Sequence, residues 1–263
     1  EYYTPLELTY SIANIVKGII DTEPKELLRV PKWKNQYLAL EPSAGIGRFI
    51  EPLYDNGISW KAVEPSIQSS KILMALYPKV NISLEKFDSW AQQNNPIGIY
   101  SMVIANPPYK KRGDELLLDP SWRSYKKSEH YQMMRVLPML NKGGIGVMVI
   151  PREALQSTSN TMKRMREQLL KQAHLIGAFR LPTKTYKSGK LTDGVFGGVV
   201  TPIDVLIFQA RGGELKSIPE DDQFIVDGEY FSKYPTHVLG TLVKQNQTYT
   251  QNGKTFNCSR QDF

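Results

Sequence analysis

Four short apolar runs, Tyr37–Leu40, Trp60–Val63, Val80–Leu84 and Ser101–Ala105, recur along the first part of the chain. Runs of this length bounded by turn residues read as buried strands. Helical spacing fills the gap at Ile67–Tyr77, and a further helix is predicted from about Arg48. Strands alternating with helices imply a mostly parallel sheet, because each crossover carries the chain back to the edge it left. The runs give way at their carboxyl ends to Glu41, Glu64, Asp88 and Asn106. In a parallel sheet those four residues share one edge, the edge at which open α/β sheets bind ligands.

The alternation continues downstream. Leu6–Ile20 carries Leu8, Ile12, Ile15, Val16 and Ile19 at helical spacing, ahead of a polar, proline-bearing loop over 21–36. A helix is predicted over Tyr131–Leu140, a strand over Ile145–Ile150 after a Gly-Gly turn, and a basic helix over Thr161–Gln172. His174–Phe179 and Ile203–Phe208 read as late strands. Residues 110–130 break the pattern and are basic and aromatic, as a loop touching nucleic-acid phosphate would be. Residues 210–263 are polar and turn-rich and carry no chemistry motif.

Glu41-x-x-x-Gly45-x-Gly47 lies between a strand and the segment after it. Glycines allow tight turning and close backbone approach to a ligand. Glu64, 23 residues after Glu41, ends the next strand, where a carboxylate can accept both ribose hydroxyls of a nucleoside. A nicotinamide dinucleotide is one candidate. It is disfavoured because Glu41 would face its pyrophosphate, and because Ile50 stands where a third close glycine is expected. A cationic ligand suits Glu41 better, and S-adenosylmethionine carries both a sulfonium and an ammonium. Asp88 is placed to accept from the cofactor's adenine amine.

Asn106-Pro107-Pro108-Tyr109 follows the fourth run. The exocyclic nitrogen of adenine is a poor nucleophile, because its lone pair is delocalised into the ring. The Asn106 side-chain oxygen and the Pro107 carbonyl can accept its two N–H hydrogens and localise that pair. Proline has a fixed φ and no N–H, so its carbonyl is rigidly aimed. Tyr109 can stack on a base flipped out of a duplex.

The net charge is +7, which suits a polyanionic partner. The single cysteine, Cys258, excludes an internal disulfide and a cysteine-rich zinc site, and no metal is expected. No apolar stretch reaches the roughly 18 residues of a membrane span. A reducing, cytoplasmic location fits this composition, and the start at Glu1 is expected of a fragment.

These motifs and their order resemble the adenine-N6 DNA methyltransferases in which an N-terminal cofactor motif precedes the glycine loop. The matching residues are Tyr2-Tyr3-Thr4-Pro5, Leu40 to Phe49, Val63-Glu64-Pro65, Phe87-Asp88 and Asn106-Pro107-Pro108-Tyr109. Later matches are Lys142-Gly143-Gly144, Leu181-Pro182 and Thr201 to Phe208. The overall pattern is similar to large methylase or helicase–methylase proteins of bacterial mobile elements and phages.

The resemblance implies a Rossmann-like S-adenosylmethionine-dependent methyltransferase fold, with a mostly parallel seven-stranded sheet and helices on both faces. It implies a catalytic domain over residues 1–209 and an extension over 210–263 that leads toward further domains. It assigns cofactor binding to Tyr3, Thr4, Pro5, Glu41, Ala44, Gly45, Gly47, Glu64, Asp88 and Asn106, with Thr4 at the methionine end. Catalysis falls to Asn106, Pro107, Pro108 and Tyr109. Substrate contacts fall to Tyr109, Lys110, Lys111 and Arg112, and to Phe196 or Tyr186 as a second stacking aromatic. DNA is the expected partner. RNA adenine, protein glutamine and a non-catalytic binding module stand as alternatives.

Overall fold

The computed structural model describes residues 3–187, 190–194, 196, 201–240, 248–251 and 254–257. The strands are β1 Tyr37–Glu41, β2 Ile58–Val63, β3 Asn81–Ser83, β4 Tyr100–Ala105, β5 Leu140–Pro151 and β6 Ala173–Arg180. They continue with β7 Lys184–Lys187, β8 Lys190–Asp193, β9 Ile203–Ala210, β10 Thr248–Gln251 and β11 Lys254–Asn257. The helices are α1 Leu6–Thr22, α2 Ile67–Leu76, α3 Phe87–Asn94 and α4 Ser128–Arg135. They continue with α5 Glu153–Gln156, α6 Asn160–Gln172, α7 Gln223–Asp227 and α8 Tyr230–Lys233.

Seven strands form one sheet in the order β3-β2-β1-β4-β5-β9-β6. Neighbours from β3 through to β5 pair in parallel, whereas β9 is antiparallel to both β5 and β6. The sheet is therefore mixed. The reason lies in the connection: between β6 and β9 the described residues form the β7–β8 hairpin and no crossover helix, so the chain returns in the opposite sense.

Alternate side chains of β4 go to opposite faces. Met102 and Ile104 join Ile12, Ala13 and Val16 of α1 and Leu73 of α2. Val103 and Ala105 join Phe87 and Trp90 of α3, Met133 and Met134 of α4, and Met162 and Met165 of α6. Helices cover both faces, and the sheet lies buried between them. Local signals start these helices: Ser66 and Ser159 accept from the N–H of Ser69 and Met162, capping α2 and α6. No helix among the described residues is long and apolar enough to cross a membrane.

The helix expected from Arg48 is absent. Residues 45–50 are consecutive turns, followed by a 3-10 turn at Glu51–Leu53. Pro52 lacks the N–H that a longer helix would use, and Gly57 already leads into β2. The helix expected over Tyr131–Leu140 ends at Arg135, and Pro138 falls in a separate 3-10 turn. The strand expected from Ile145 begins at Leu140 and takes in Gly143 and Gly144. Phe87–Asn94, not foreseen as a helix, forms α3. Within the polar extension, Ile225, Val226 and Tyr230 pack into the same core as α6. Arg166 of α6 donates to the Val226 carbonyl at 2.7 and 3.0 Å.

Candidate active site

The glycine loop leaves β1 at Glu41 and turns through Gly45 (φ +52) and Gly47 (φ +83). At Gly47 a side chain would be both strained and blocked, since a Cβ would lie 2.4 Å from Leu73 and 2.8 Å from Tyr77. At Gly45 the neighbour is the Tyr3 ring, 3.2 Å from a Cβ position. Ala44, also in this loop, is buried, and its N–H donates to the Val63 carbonyl. Ser43 and Gln132 of α4 exchange hydrogen bonds of 2.8 and 3.0 Å, which tie the loop to the opposite helix layer. Sequence reading missed Gln132, because its partner lies 89 residues away.

The two carboxylates of this loop differ in use. Glu64 accepts from the Gly45 N–H and the Ser66 N–H, both at 2.7 Å, so it fixes the loop's shape. Glu41 is 2% exposed, and its Oε2 has no hydrogen-bond partner. Burial, and the charge of Glu64 nearby, push the Glu41 carboxyl well above the usual carboxylate range. A buried carboxylate oxygen without a partner beside a glycine loop suits a cation, and an ammonium would satisfy it. The donor set thus fits S-adenosylmethionine and opposes an anionic pyrophosphate.

Asp88 stands in the first turn of α3 and is buried. Burial raises its carboxyl pKa, and Arg112 opposes that rise. Arg112 Nε donates to Asp88 Oδ1 at 2.8 Å, while another guanidinium nitrogen lies 2.7 Å from the same oxygen. The remaining terminal nitrogen donates to the carbonyls of Trp122 (2.9 Å) and Tyr125 (3.0 Å), and the guanidinium lies 3.6 Å over the Tyr131 ring. Arg112 is only 1% exposed, so it does not face a DNA phosphate as the sequence suggested. A guanidinium meets several acceptors in one plane, which suits it to hold a loop from within. The expectation failed because a basic run does not show which member turns inward.

The rest of that loop is partly self-neutralised. Lys110 pairs with Glu115 at 2.7 Å, and Lys127 pairs with Glu153. Lys111 is exposed.

At the end of β4, Asn106 is held at both ends. Its Nδ2 donates to Thr4 Oγ1 at 3.1 Å, and its Oδ1 accepts from the Tyr109 hydroxyl at 2.7 Å. Thr4 is buried, and Pro5 caps α1 with φ −59°. Pro107 is buried and Pro108 exposed. The Pro108 carbonyl accepts from the Lys110 N–H at 3.1 Å, whereas the Pro107 carbonyl takes no backbone donor among the described residues. The Tyr109 hydroxyl also lies 3.0 Å from the Val149 carbonyl, and burial pushes its pKa upward. In this state Tyr109 packs inward instead of presenting a free face to a base.

Of the two aromatic candidates for a second stacking contact, Phe196 is buried in the core with Leu181 and Ile203. Packing is its role here. Tyr186 falls in β7, and its side chain lies outside the described residues. Cys258 also lies outside them.

Comparison with known proteins agrees with this architecture. Residues 53–184 match the family model described as Eco57I restriction-modification methylase. The chain is 29% identical over 217 residues to Defense against restriction protein B of Escherichia phage P1, covering 82% of this chain and 8% of that protein. The EcoKI M protein of a type I restriction enzyme shares the fold at TM-score 0.55 and 17% identity, over 81% of this chain and 46% of that one. A Listeria monocytogenes protein described as a class I S-adenosylmethionine-dependent methyltransferase shares it at TM-score 0.56 and 14% identity. That match covers 82% of this chain and 63% of the other. The chain thus spans a small part of its phage relative and less than two thirds of either structure. The chain belongs to the Eco57I restriction-modification methylase family, and it shares its fold with a protein described as an S-adenosylmethionine-dependent methyltransferase.

Proposed function

We propose that the chain transfers a methyl group to the N6 amine of an adenine flipped out of DNA. The observation that carries this reading is the orientation of Asn106. Thr4 fixes its amide nitrogen, which leaves Oδ1 as the acceptor on the Tyr109 side. The Tyr109 hydroxyl stands where an amine N–H would donate. Its bond of 2.7 Å shows that a donor fits there.

S-adenosylmethionine supplies an electrophilic methyl on a sulfonium. Glu41 would hold its ammonium, the Gly45–Gly47 loop would allow close backbone approach, and Asp88 would take its adenine amine through the oxygen not engaged by Arg112. Asn106 Oδ1 and the Pro107 carbonyl accept the two amine hydrogens and localise the nitrogen lone pair. The bound cofactor would supply the methyl carbon to this nitrogen, whose extra proton would leave to solvent. Catalysis rests on positioning and fixed dipoles. Residues 1–209, with 220–239 packed on them, act as the catalytic domain.

The test is methyl transfer from labelled cofactor to duplex DNA, RNA and protein in parallel, with product digestion to nucleosides. N6-methyladenine from DNA is expected. Preferential labelling of RNA or glutamine would replace this reading. Asn106→Ala is expected to lower kcat at least 100-fold with cofactor affinity kept, about 3 kcal/mol of transition-state stabilisation.

A further inference from the structure

Beside the Asn106 turn lies a second cleft that the mechanism above does not use. It has a volume of about 420 Å³ and opens between the 124–130 segment, the start of α5 and the N-terminal half of α6. That size falls in the range of about 300–1,000 Å³ typical of small-ligand sites. Three observations describe its chemistry. Lys126 and Arg164 line it, both are exposed, and neither is ion-paired among the described residues. Tyr125, Met162 and Met165 give it an apolar, polarisable wall. His130 and Glu153 line it too, and His130 is buried with its Nε2 3.2 Å from Glu153 Oε1.

The cleft is physically continuous with the catalytic turn. Ser128 N–H donates to the Lys110 carbonyl at 2.9 Å, and Arg112 N–H donates to the Lys126 carbonyl at 2.9 Å. Glu153 follows the end of β5, the strand next to β4. The cleft therefore shares the sheet edge of Asn106, one strand over.

Cations at the rim, an aromatic and sulfur wall, and mixed donors and acceptors within are complementary to one nucleotide. A metal ion fits less well. Glu129, His130 and Glu153 bring ligand atoms within 4.8 Å of one another, but the Lys127 ammonium already sits on Glu153. We infer that this cleft takes a nucleotide of the DNA strand flanking the target adenine, its phosphate on Lys126 and Arg164 and its base against Tyr125. The inference rests on the DNA reading above and extends it to a second site.

The experiment is fluorescence anisotropy of a labelled DNA duplex with the 263-residue chain and with K126Q/R164Q, across a salt series. Each lost phosphate contact lowers the slope of log affinity against log salt by about one. The double variant is expected to bind DNA about tenfold more weakly near 0.1 M salt, with a slope smaller by one to two. Calorimetric affinity for S-adenosylmethionine should be unchanged, which certifies the fold. Should the double variant misfold, the single variants K126Q and R164Q are each expected to lose about half of the effect in logarithmic terms.

Unchanged DNA affinity and slope with intact cofactor binding would overturn the cleft while leaving the methylation reading in place. Tighter, equally variant-sensitive binding of duplex RNA would overturn DNA as the occupant. Failure of the unmodified chain to bind or methylate DNA would overturn both readings together.

Discussion

Glu41 was legible as a site residue from its place before the glycine loop, but its burial and the missing partner of its Oε2 were not. Burial and the charge of Glu64 raise its carboxyl pKa, and a hydrogen bond from the Phe49 backbone opposes that rise. A carboxyl with a raised pKa holds its proton in the fold at pH values where the unfolded chain has lost it. Ionisation of the fold then costs stability as pH rises above the ordinary value of 4.5. Glu41→Gln should therefore raise the melting temperature of the free chain, more at pH 8 than at pH 5. The same change should weaken S-adenosylmethionine at least tenfold by calorimetry. A loss of both stability and affinity would mean that Glu41 is structural. Tyr109 departs from its sequence reading in another way. The spacing of the motif placed it near Asn106, but its hydroxyl finds Asn106 Oδ1 and the Val149 carbonyl through the fold of β5. Tyr109→Phe keeps the ring and frees the acceptor, so kcat should stay within a few-fold. Tyr109→Ala removes the ring proposed to stack on the base and should raise KM for DNA well beyond that of the Phe variant.

At the scale of elements, the strands were the most legible part, because apolar runs ended by turn residues have few other places to go. Helix ends were less so. Pro52 and Pro138 each cut a predicted helix, and α3 carries too little periodic signal to be read, since its buried residues Phe87, Asp88, Trp90 and Ala91 include a charge. That charge is explained by Arg112, 24 residues away. The loop over 112–125 is tied to α3 through one guanidinium. Arg112→Met would leave Asp88 buried and uncompensated, a loss of about 3–5 kcal/mol by chemical denaturation. Arg112→Lys keeps the charge but cannot reach Asp88, Trp122 and Tyr125 together. It should fold with a smaller loss and show a raised cofactor Kd. An unchanged Kd would mean that Arg112 does not position Asp88.

For the whole molecule, the seven-stranded α/β architecture followed from the alternation of elements, and the antiparallel β9 did not. Its direction depends on what joins it to β6. The core also extends beyond β9, since α7 and α8 bury Ile225, Val226 and Tyr230, and Tyr230 accepts from the Ala178 N–H at 2.9 Å. A chain ending at residue 209 should unfold at lower denaturant than the parent or fail to fold, as circular dichroism melts would show. His130 adds a global pH dependence. Burial lowers its pKa to about 4, against 6.5 in a free chain. The unfolded state therefore binds a proton first as pH falls, and stability is lost between about pH 6.5 and 4. His130→Gln should flatten that part of the stability curve relative to the parent.

Arg112 joins a residue assigned to the cofactor's adenine with a loop whose outer side borders the second cleft. Two ligands that bias one shared element are thermodynamically coupled, and coupling is reciprocal. If cofactor strengthens DNA binding by some factor, DNA must strengthen cofactor binding by the same factor. A single salt bridge would then link the occupancy of the two sites, whichever ligand binds first.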